Sequence, residues 1–118
     1  MGQQVVHVEV RGKDGAALQS FYEDIFGWDL DKSNPGGYGM VRQESGVSGG
    51  IGASQDGSIG HVTFYVQVAD VGAALEKAES LGGSRMMGPD EVPGVGIVIG
   101  LFSDPEGHVI GLMSPQAS

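Results

Sequence analysis

The chain says nearly the same thing twice, and this repetition limits its possible folds more than any other feature. A strand-like segment, Val6-His7-Val8-Glu9-Val10, is answered 54 positions later by Gly60-His61-Val62-Thr63-Phe64. Each leads to an Ala-Ala-Leu segment, Ala16-Ala17-Leu18 and Ala73-Ala74-Leu75, and each of these runs to glycine, at Gly27 and at Gly82-Gly83. The offsets of 54, 57 and 56 imply about three extra residues between strand and helix in the second copy. Self-similarity at a fixed period marks a repeated supersecondary unit. Two copies of about 55 residues fill the 118 residues, so one domain, 1–118, is expected from repeats 1–56 and 57–118. A unit that small buries little apolar surface alone, and the copies should share a core.

Periodicity names the elements within each copy. Val6, Val8 and Val10 alternate with Val5, His7 and Glu9, the period of two of a half-buried strand. Asp14 is a fitting N-cap for a helix over 15–26, with Leu18, Phe21, Tyr22 and Ile25 at helical spacing and Gly27 as its stop. In the second copy Val62, Phe64, Val66 and Val68 alternate with His61, Thr63, Tyr65 and Gln67. Asp70 caps a helix over 71–81 whose apolar stripe is Val71, Ala74, Leu75, Ala78 and Leu81. Leu18, Phe21, Ile25, Val71, Leu75 and Ala78 are expected to cover the outer sheet faces. Three shorter strands follow each helix: Trp28–Lys32, Tyr38–Gln43 and Gly49–Ala53, then Ser84–Gly88, Val95–Phe102 and His108–Met113. Asp104-Pro105-Glu106-Gly107 is a type I turn signal before the last of them. Each copy reads β-α-β-β-β.

Composition then removes whole classes of function. Fifteen Asp and Glu against six Lys and Arg give a net charge of −9, which repels phosphate backbones and anionic membranes. No nucleic-acid or membrane partner is expected. The chain has no cysteine, so disulfides, thiolate chemistry and Cys-based zinc sites are ruled out. Met1-Gly2-Gln3-Gln4 is not a basic segment leading into an apolar one, and no apolar run approaches membrane-spanning length, so a cytoplasmic protein is expected. Gly46-Val47-Ser48-Gly49-Gly50 fits the pattern of a hydrolase nucleophile elbow, but no helix follows it, and the match is discounted.

A duplicated βαβββ unit with a histidine on the first strand of each copy resembles the vicinal oxygen chelate superfamily. This group includes glyoxalase I, extradiol dioxygenases and the bleomycin-resistance proteins. The resemblance is carried by Tyr65-Val66-Gln67-Val68-Ala69-Asp70-Val71, Leu81-Gly82-Gly83, Val92-Pro93-Gly94-Val95-Gly96 and Phe102-Ser103-Asp104-Pro105-Glu106-Gly107. In the first half it is carried by Phe21-Tyr22-Glu23-Asp24-Ile25-Phe26-Gly27-Trp28. It implies an α+β fold in which two βαβββ modules form curved mixed sheets around a shared cleft. It also implies a symmetric homodimer, with Trp28 and the Gly49–Ala53 strand as candidate interface parts. Metal-dependent members draw ligands from the first and last strand of each copy. Carried over, those positions are His7 and His61, then Gly111, four residues after Gly107, and its counterpart near Gly50. Two of the four have no side chain with which to coordinate.

The expected ligand pocket is therefore lined by His7, Glu9, His61, Thr63, Tyr65, Gln67, Val109, Gly111 and Met113. His7 and His61 are read as hydrogen-bonding cleft wall rather than metal ligands. Glu9 could be a third ligand or a base, though a solvated charge near a strand end is the plainer reading, and His108 should face solvent. The resulting expectation is a glyoxalase- or bleomycin-resistance-like protein that binds a small, partly apolar organic molecule without metal or cofactor and has no catalytic residue. The alternative is a lyase, isomerase or dioxygenase using His7 and His61 with one divalent metal ion. A protein-binding module is disfavoured because no obvious exposed hydrophobic run appears in the sequence.

Overall fold

The two helices begin in the same way. Asp14, in extended backbone, accepts a hydrogen bond from the Ala17 N–H at 3.0 Å and starts α1 (Gly15–Phe26). Asp70 does the same for Ala73, also at 3.0 Å, and starts α2 (Val71–Ser80). Gly27, at φ 70°, ends α1. The end of α2 is tied down by Leu81 and by Gly83, whose N–H donates to the Ala78 carbonyl at 2.9 Å. These details come from a computed structural model that describes residues 2–41, 47–54 and 57–115.

Around the helices lie β1 (Val5–Gly12), β2 (Gly39–Val41), β3 (Ser48–Ala53), β4 (Val62–Gln67), β5 (Ser84–Val92), β6 (Ile97–Ser103) and β7 (Val109–Met113). The chain forms two compact units, one of residues 7–63 and one of residues 1–6 with 64–118. Residues 55 and 56, at the expected module boundary, lie outside the described residues. In the first unit the strand order is β2-β3-β1, with β1 parallel to β3 and β2 antiparallel to it. In the second it is β5-β6-β7-β4, with β4 parallel to β7 and the remaining pairs antiparallel. In both, the first strand lies beside the last. The second unit is a complete βαβββ arrangement, and the first repeats it without a strand directly after α1, where only an Asp31–Met40 bridge stands. The fold is α+β with mixed sheets.

Several boundaries differ from the sequence expectation. Trp28–Lys32 is not a strand; only Asp31 pairs with Met40 there. Turn chemistry wins at that point, because the Asp31 carboxylate accepts from the Ser33 N–H at 3.0 Å and Asn34 Nδ2 donates to the Asp31 carbonyl at 2.8 Å. The third strand of the first copy is only Gly39–Val41, and its expected end, Gln43, lies outside the described residues. β5 runs on past Gly88 to Val92, and β6 starts at Ile97, after a turn in which the Val95 N–H donates to the Val92 carbonyl. Gly49–Ala53 pairs on both sides, with β1 and β2, so it is not an edge that a second copy could extend.

The cores show the larger correction. In the second unit Val71 and Leu75 of the expected stripe pack with Val68 and Leu112, and Ala74 lies against them, but Leu81 falls after the end of α2 and is exposed. In the first, Leu30, Val41 and Ile51 pack with Val10, Leu18, Tyr22 and Trp28. Phe21 and Ile25, however, are 57% and 58% exposed, and Phe26 is equally open. An apolar face is therefore displayed where the sequence suggested none. The buried residue of α1 is Gln19, whose Nε2 donates to the Gly37 and Ile51 carbonyls at 2.8 Å each.

The repeat is also more regular than its histidines imply. The N-caps Asp14 and Asp70 are 56 residues apart. His7 and Glu9 are the buried positions of β1, Thr63 and Tyr65 those of β4, again 56 apart. Glu9 faces Gly50 in register and Tyr65 faces Gly111. The expected extra residues between strand and helix are absent, and Thr63, not His61, occupies the place equivalent to His7.

Candidate functional site

The period of two along β1 turns His7 and Glu9 to one face, and β3 lies parallel beside it with Ser48 opposite His7 and Gly50 opposite Glu9. Glu9 is only 4% exposed, which overturns the reading of a solvated strand-end charge. Burying a carboxylate is costly unless its lone pairs are used, and here they are. Oε1 accepts from Arg11 Nε at 3.0 Å and from His61 Nε2 at 3.0 Å, and Oε2 accepts from the Tyr38 hydroxyl at 2.9 Å. Burial alone would raise the Glu9 pKa. The hydrogen bond from His61, the positive charge of Arg11 and the hydrogen bonds from Tyr38 and Arg11 outweigh it and hold the carboxyl below its ordinary value.

An ionised Glu9 fixes the direction of the remaining bonds. Tyr38 spends its proton on Glu9, so its oxygen accepts from His7 Nε2–H at 2.9 Å. Burial lowers the His7 pKa and favours the neutral ring, opposed by the charge of Glu9 and helped by that of Arg11. In that neutral ring Nδ1 carries the lone pair and receives the Ser48 hydroxyl at 3.0 Å. The result is a directed chain, Ser48 to His7 to Tyr38 to Glu9, joined at the carboxylate by His61 and Arg11.

Two glycines make room for this chain. A Cβ built at Gly50 would fall on the Tyr38 hydroxyl, so the phenol stands where a side chain of β3 would otherwise be. A Cβ at Gly60, which has φ +81°, would fall on the Arg11 carbonyl. That close approach lets Arg11 and His61 exchange backbone hydrogen bonds at 2.8 and 3.1 Å, which brings the His61 ring to Glu9. Arg11 and His61 are the parts of the network with solvent access, their side chains 24% and 28% exposed.

Of the pocket residues expected from sequence, His7, Glu9 and His61 meet at this network, and Thr63 is buried in the same unit. The first two are interior groups rather than the wall of an open cleft. Tyr65, Gln67, Val109, Gly111 and Met113 belong to the other unit. There the Tyr65 ring covers Gly111, Gln67 pairs with Met113, and Val109 pairs with Ser103. That unit also holds a cavity of about 600 Å³ between α2 and its sheet, lined by Val66, Val68, Ala74, Lys77, Phe102 and Leu112 among others, and by none of the expected pocket residues. His108 is exposed as expected and bonds to Asp104 at 3.0 Å. Sequence reasoning missed Tyr38, Arg11, Ser48 and Gln19. Arg11 was within reach, since it shares the period-two face of His7 and Glu9; Tyr38 had no local signal except its glycine neighbours.

The donor set does not fit a divalent metal ion. Among the described residues no three His, Asp or Glu side chains converge on one point. Both His7 nitrogens and both Glu9 oxygens already hold partners. Gly50 and Gly111 offer no ligand, and the space above each is filled by tyrosine.

Duplicated βαβββ units of this topology define a family, and the sequence agrees. Residues 4–112 match the model of the Glyoxalase/Bleomycin resistance protein/Dioxygenase superfamily, and the chain belongs to that superfamily. It is 27% identical over 113 residues to "Putative glyoxylase CFP32" of Mycobacterium bovis, covering 89% of this chain and 43% of that protein. The chain thus spans less than half the length of the curated relatives it matches. Among solved structures, a superfamily member from Vibrio splendidus matches with a TM-score of 0.66 at 18% identity over 97% of this chain and 100% of its own. Methylmalonyl-CoA epimerase from Mycobacterium tuberculosis also matches with a TM-score of 0.66, at 16% identity over 96% of this chain and 88% of its own. At these identities the structures share the fold, and the activity must be argued from the site. No helix of the described residues is long and apolar enough to cross a membrane.

Proposed function

We propose that this chain binds a small, partly apolar organic molecule without a metal ion, as a cytoplasmic homodimer. The observation that carries the metal-free reading is the pair of glycines at the last-strand positions with a tyrosine over each, Tyr38 on Gly50 and Tyr65 on Gly111. A coordinating side chain has neither an attachment point nor free volume there. The polar contact for a ligand is the solvent-reaching rim of the Glu9 network. Arg11 Nη2 has no hydrogen-bond partner among the described residues and can donate to a carbonyl or hydroxyl oxygen. Because Glu9 balances the guanidinium, a neutral oxygen acceptor suits this rim better than an anion. The exposed Phe21, Ile25 and Phe26 of α1 support a dimer contact, in place of the Gly49–Ala53 strand.

The test is metal content followed by a ligand screen. Elemental analysis of protein purified without chelator or affinity tag should find less than stoichiometric metal, and EDTA should leave the melting temperature unchanged. A thermal-shift screen of small carbonyl compounds should then yield ligands that raise it. One tightly held metal per chain, with a melting temperature that falls in EDTA, would instead establish the metal-dependent lyase, isomerase or dioxygenase reading.

A further inference from the structure

We propose that Arg11 is the resident cation of this site: its guanidinium takes the electrostatic place of a divalent metal ion at Glu9 and excludes one. The proposal rests on the metal-free reading above and adds the residue that enforces it.

The guanidinium is held from several sides. Nε donates to Glu9 Oε1 at 3.0 Å, and Nη1 donates to the Ala53 carbonyl at 2.9 Å. Its central carbon lies 5.0 Å from the centroid of the Tyr38 ring, a cation–π contact. The Arg11 backbone is paired to His61 on one side and stands opposite Gly52 on the other. Gly52 matters here, because a Cβ at that position would press on the Tyr38 ring. The chain has only six Lys and Arg and a net charge of −9, yet one of those cations is set against Glu9, the most buried carboxylate among the described residues.

Glu9 and His61 would otherwise be a reasonable start to a cation site. Their nearest atoms, Oε1 and Nε2, are 3.0 Å apart, which is about the separation of two neighbouring ligands on a metal with bonds near 2.1 Å. The same Oε1 already accepts from Arg11 and His61, so a metal ion entering there must displace both hydrogen bonds. With Arg11 still present it would also bring two further positive charges beside a guanidinium and a single carboxylate. Removing the arginine should shift that balance by taking away the guanidinium charge and one hydrogen bond from Oε1, beside a nitrogen ligand.

The experiment is a titration with Co²⁺ alone, read by its visible absorption and by calorimetry, on tag-free protein. Wild type and Arg11→Lys, which keeps a positive charge, should bind Co²⁺ equally weakly. Arg11→Met should bind it at least about tenfold more tightly, and Arg11→Met with Glu9→Gln should lose the gain. Equally weak Co²⁺ binding by wild type and Arg11→Met overturns the role of Arg11 and leaves the metal-free reading intact. Equally tight binding by both, at one Co²⁺ per chain, overturns both. If Arg11→Met does not fold alone, added Co²⁺ should restore its folding, and Glu9→Gln should restore it without Co²⁺. Rescue by Glu9→Gln but not by Co²⁺ would mean that Arg11 balances charge without standing in for a metal, which also overturns the proposal.

Discussion

The two modules pair their first strand with their last in the same way and differ in what fills that frame. Each places a glycine on its last strand opposite a buried residue of its first, Gly50 opposite Glu9 and Gly111 opposite Tyr65. Above Gly111 the vacancy is filled by the Tyr65 ring, an apolar solution that takes one residue. Above Gly50 it is filled by Tyr38, reaching in from the segment before β2, and its hydroxyl is spent on Glu9. The second module thus converts its inner position into packing, and the first converts the same position into a charged hydrogen-bond network. The geometry occurs twice, and the charged network fills it in the first module.

Exchanging the two solutions should have the largest effect. Tyr65→Glu would give the second module a carboxylate where Thr63 and Gln67 stand in the places of His7 and Arg11, and would also empty the space over Gly111. A loss of about 4 kcal/mol or more in urea unfolding is expected, combining a cavity with an unpaired buried charge. A loss below about 1 kcal/mol would show that the second module can also solvate a charge, and the contrast between the modules would fail.

Next in size is the contact between Tyr38 and Gly50. Gly50→Ala places a methyl group on the phenol and should cost about 2 kcal/mol by overpacking, while Tyr38→Leu should cost about as much by removing the hydrogen bonds of Tyr38 with buried Glu9 Oε2 and His7 Nε2. The double variant should cost clearly less than the sum, with a coupling of at least about 1 kcal/mol, because the methyl group then meets no hydroxyl. Strict additivity would mean that the two residues do not share the space as described.

How much of this was legible beforehand follows the same division. The strands, both helices and their Asp caps could be read because period two, period 3.6 and capping are local signals, and the duplicated fold followed from them. Aligning the copies on their histidines misled, since His61 precedes the strand, whereas the helix caps and the buried first-strand residues, His7 with Thr63 and Glu9 with Tyr65, keep the true offset. The network could not be read because it is built by contacts between distant segments. Tyr38 reaches Glu9 across 29 residues and His61 reaches it across 52. Glu9 looked solvated because a lone carboxylate usually is, and its partners are not its neighbours in sequence.

The pH dependence of stability tests the protonation states. The His7 pKa is lowered on folding from 6.5 and that of Glu9 from 4.5, so in both cases the unfolded chain takes up its proton first as pH falls. Stability should therefore begin to fall as pH drops through about 6.5, from His7, and fall again below about 4.5, from Glu9. Each group contributes a slope of at most about 1.4 kcal/mol per pH unit. His7→Gln should flatten the first region and leave the second. A first region unchanged in that variant would mean that His7 is not held neutral.

The smallest effect on the chain itself should come from the exposed face of α1. Phe21 and Ile25 are more than half exposed, so replacing either with serine removes little burial within one chain, and a change of about 0.5 kcal/mol or less is expected. The second module offers the control, because Val71 and Leu75 of α2 are buried and the same replacement there should cost several times more. If the α1 face is the contact of a homodimer, Ile25→Ser should lower the sedimentation coefficient at micromolar concentration while leaving denaturant unfolding at high dilution almost unchanged. A wild-type monomer under those conditions would remove the dimer. A dimer unaffected by Phe21→Ser and Ile25→Ser together would place its contact on another surface, leaving these side chains open to some other partner.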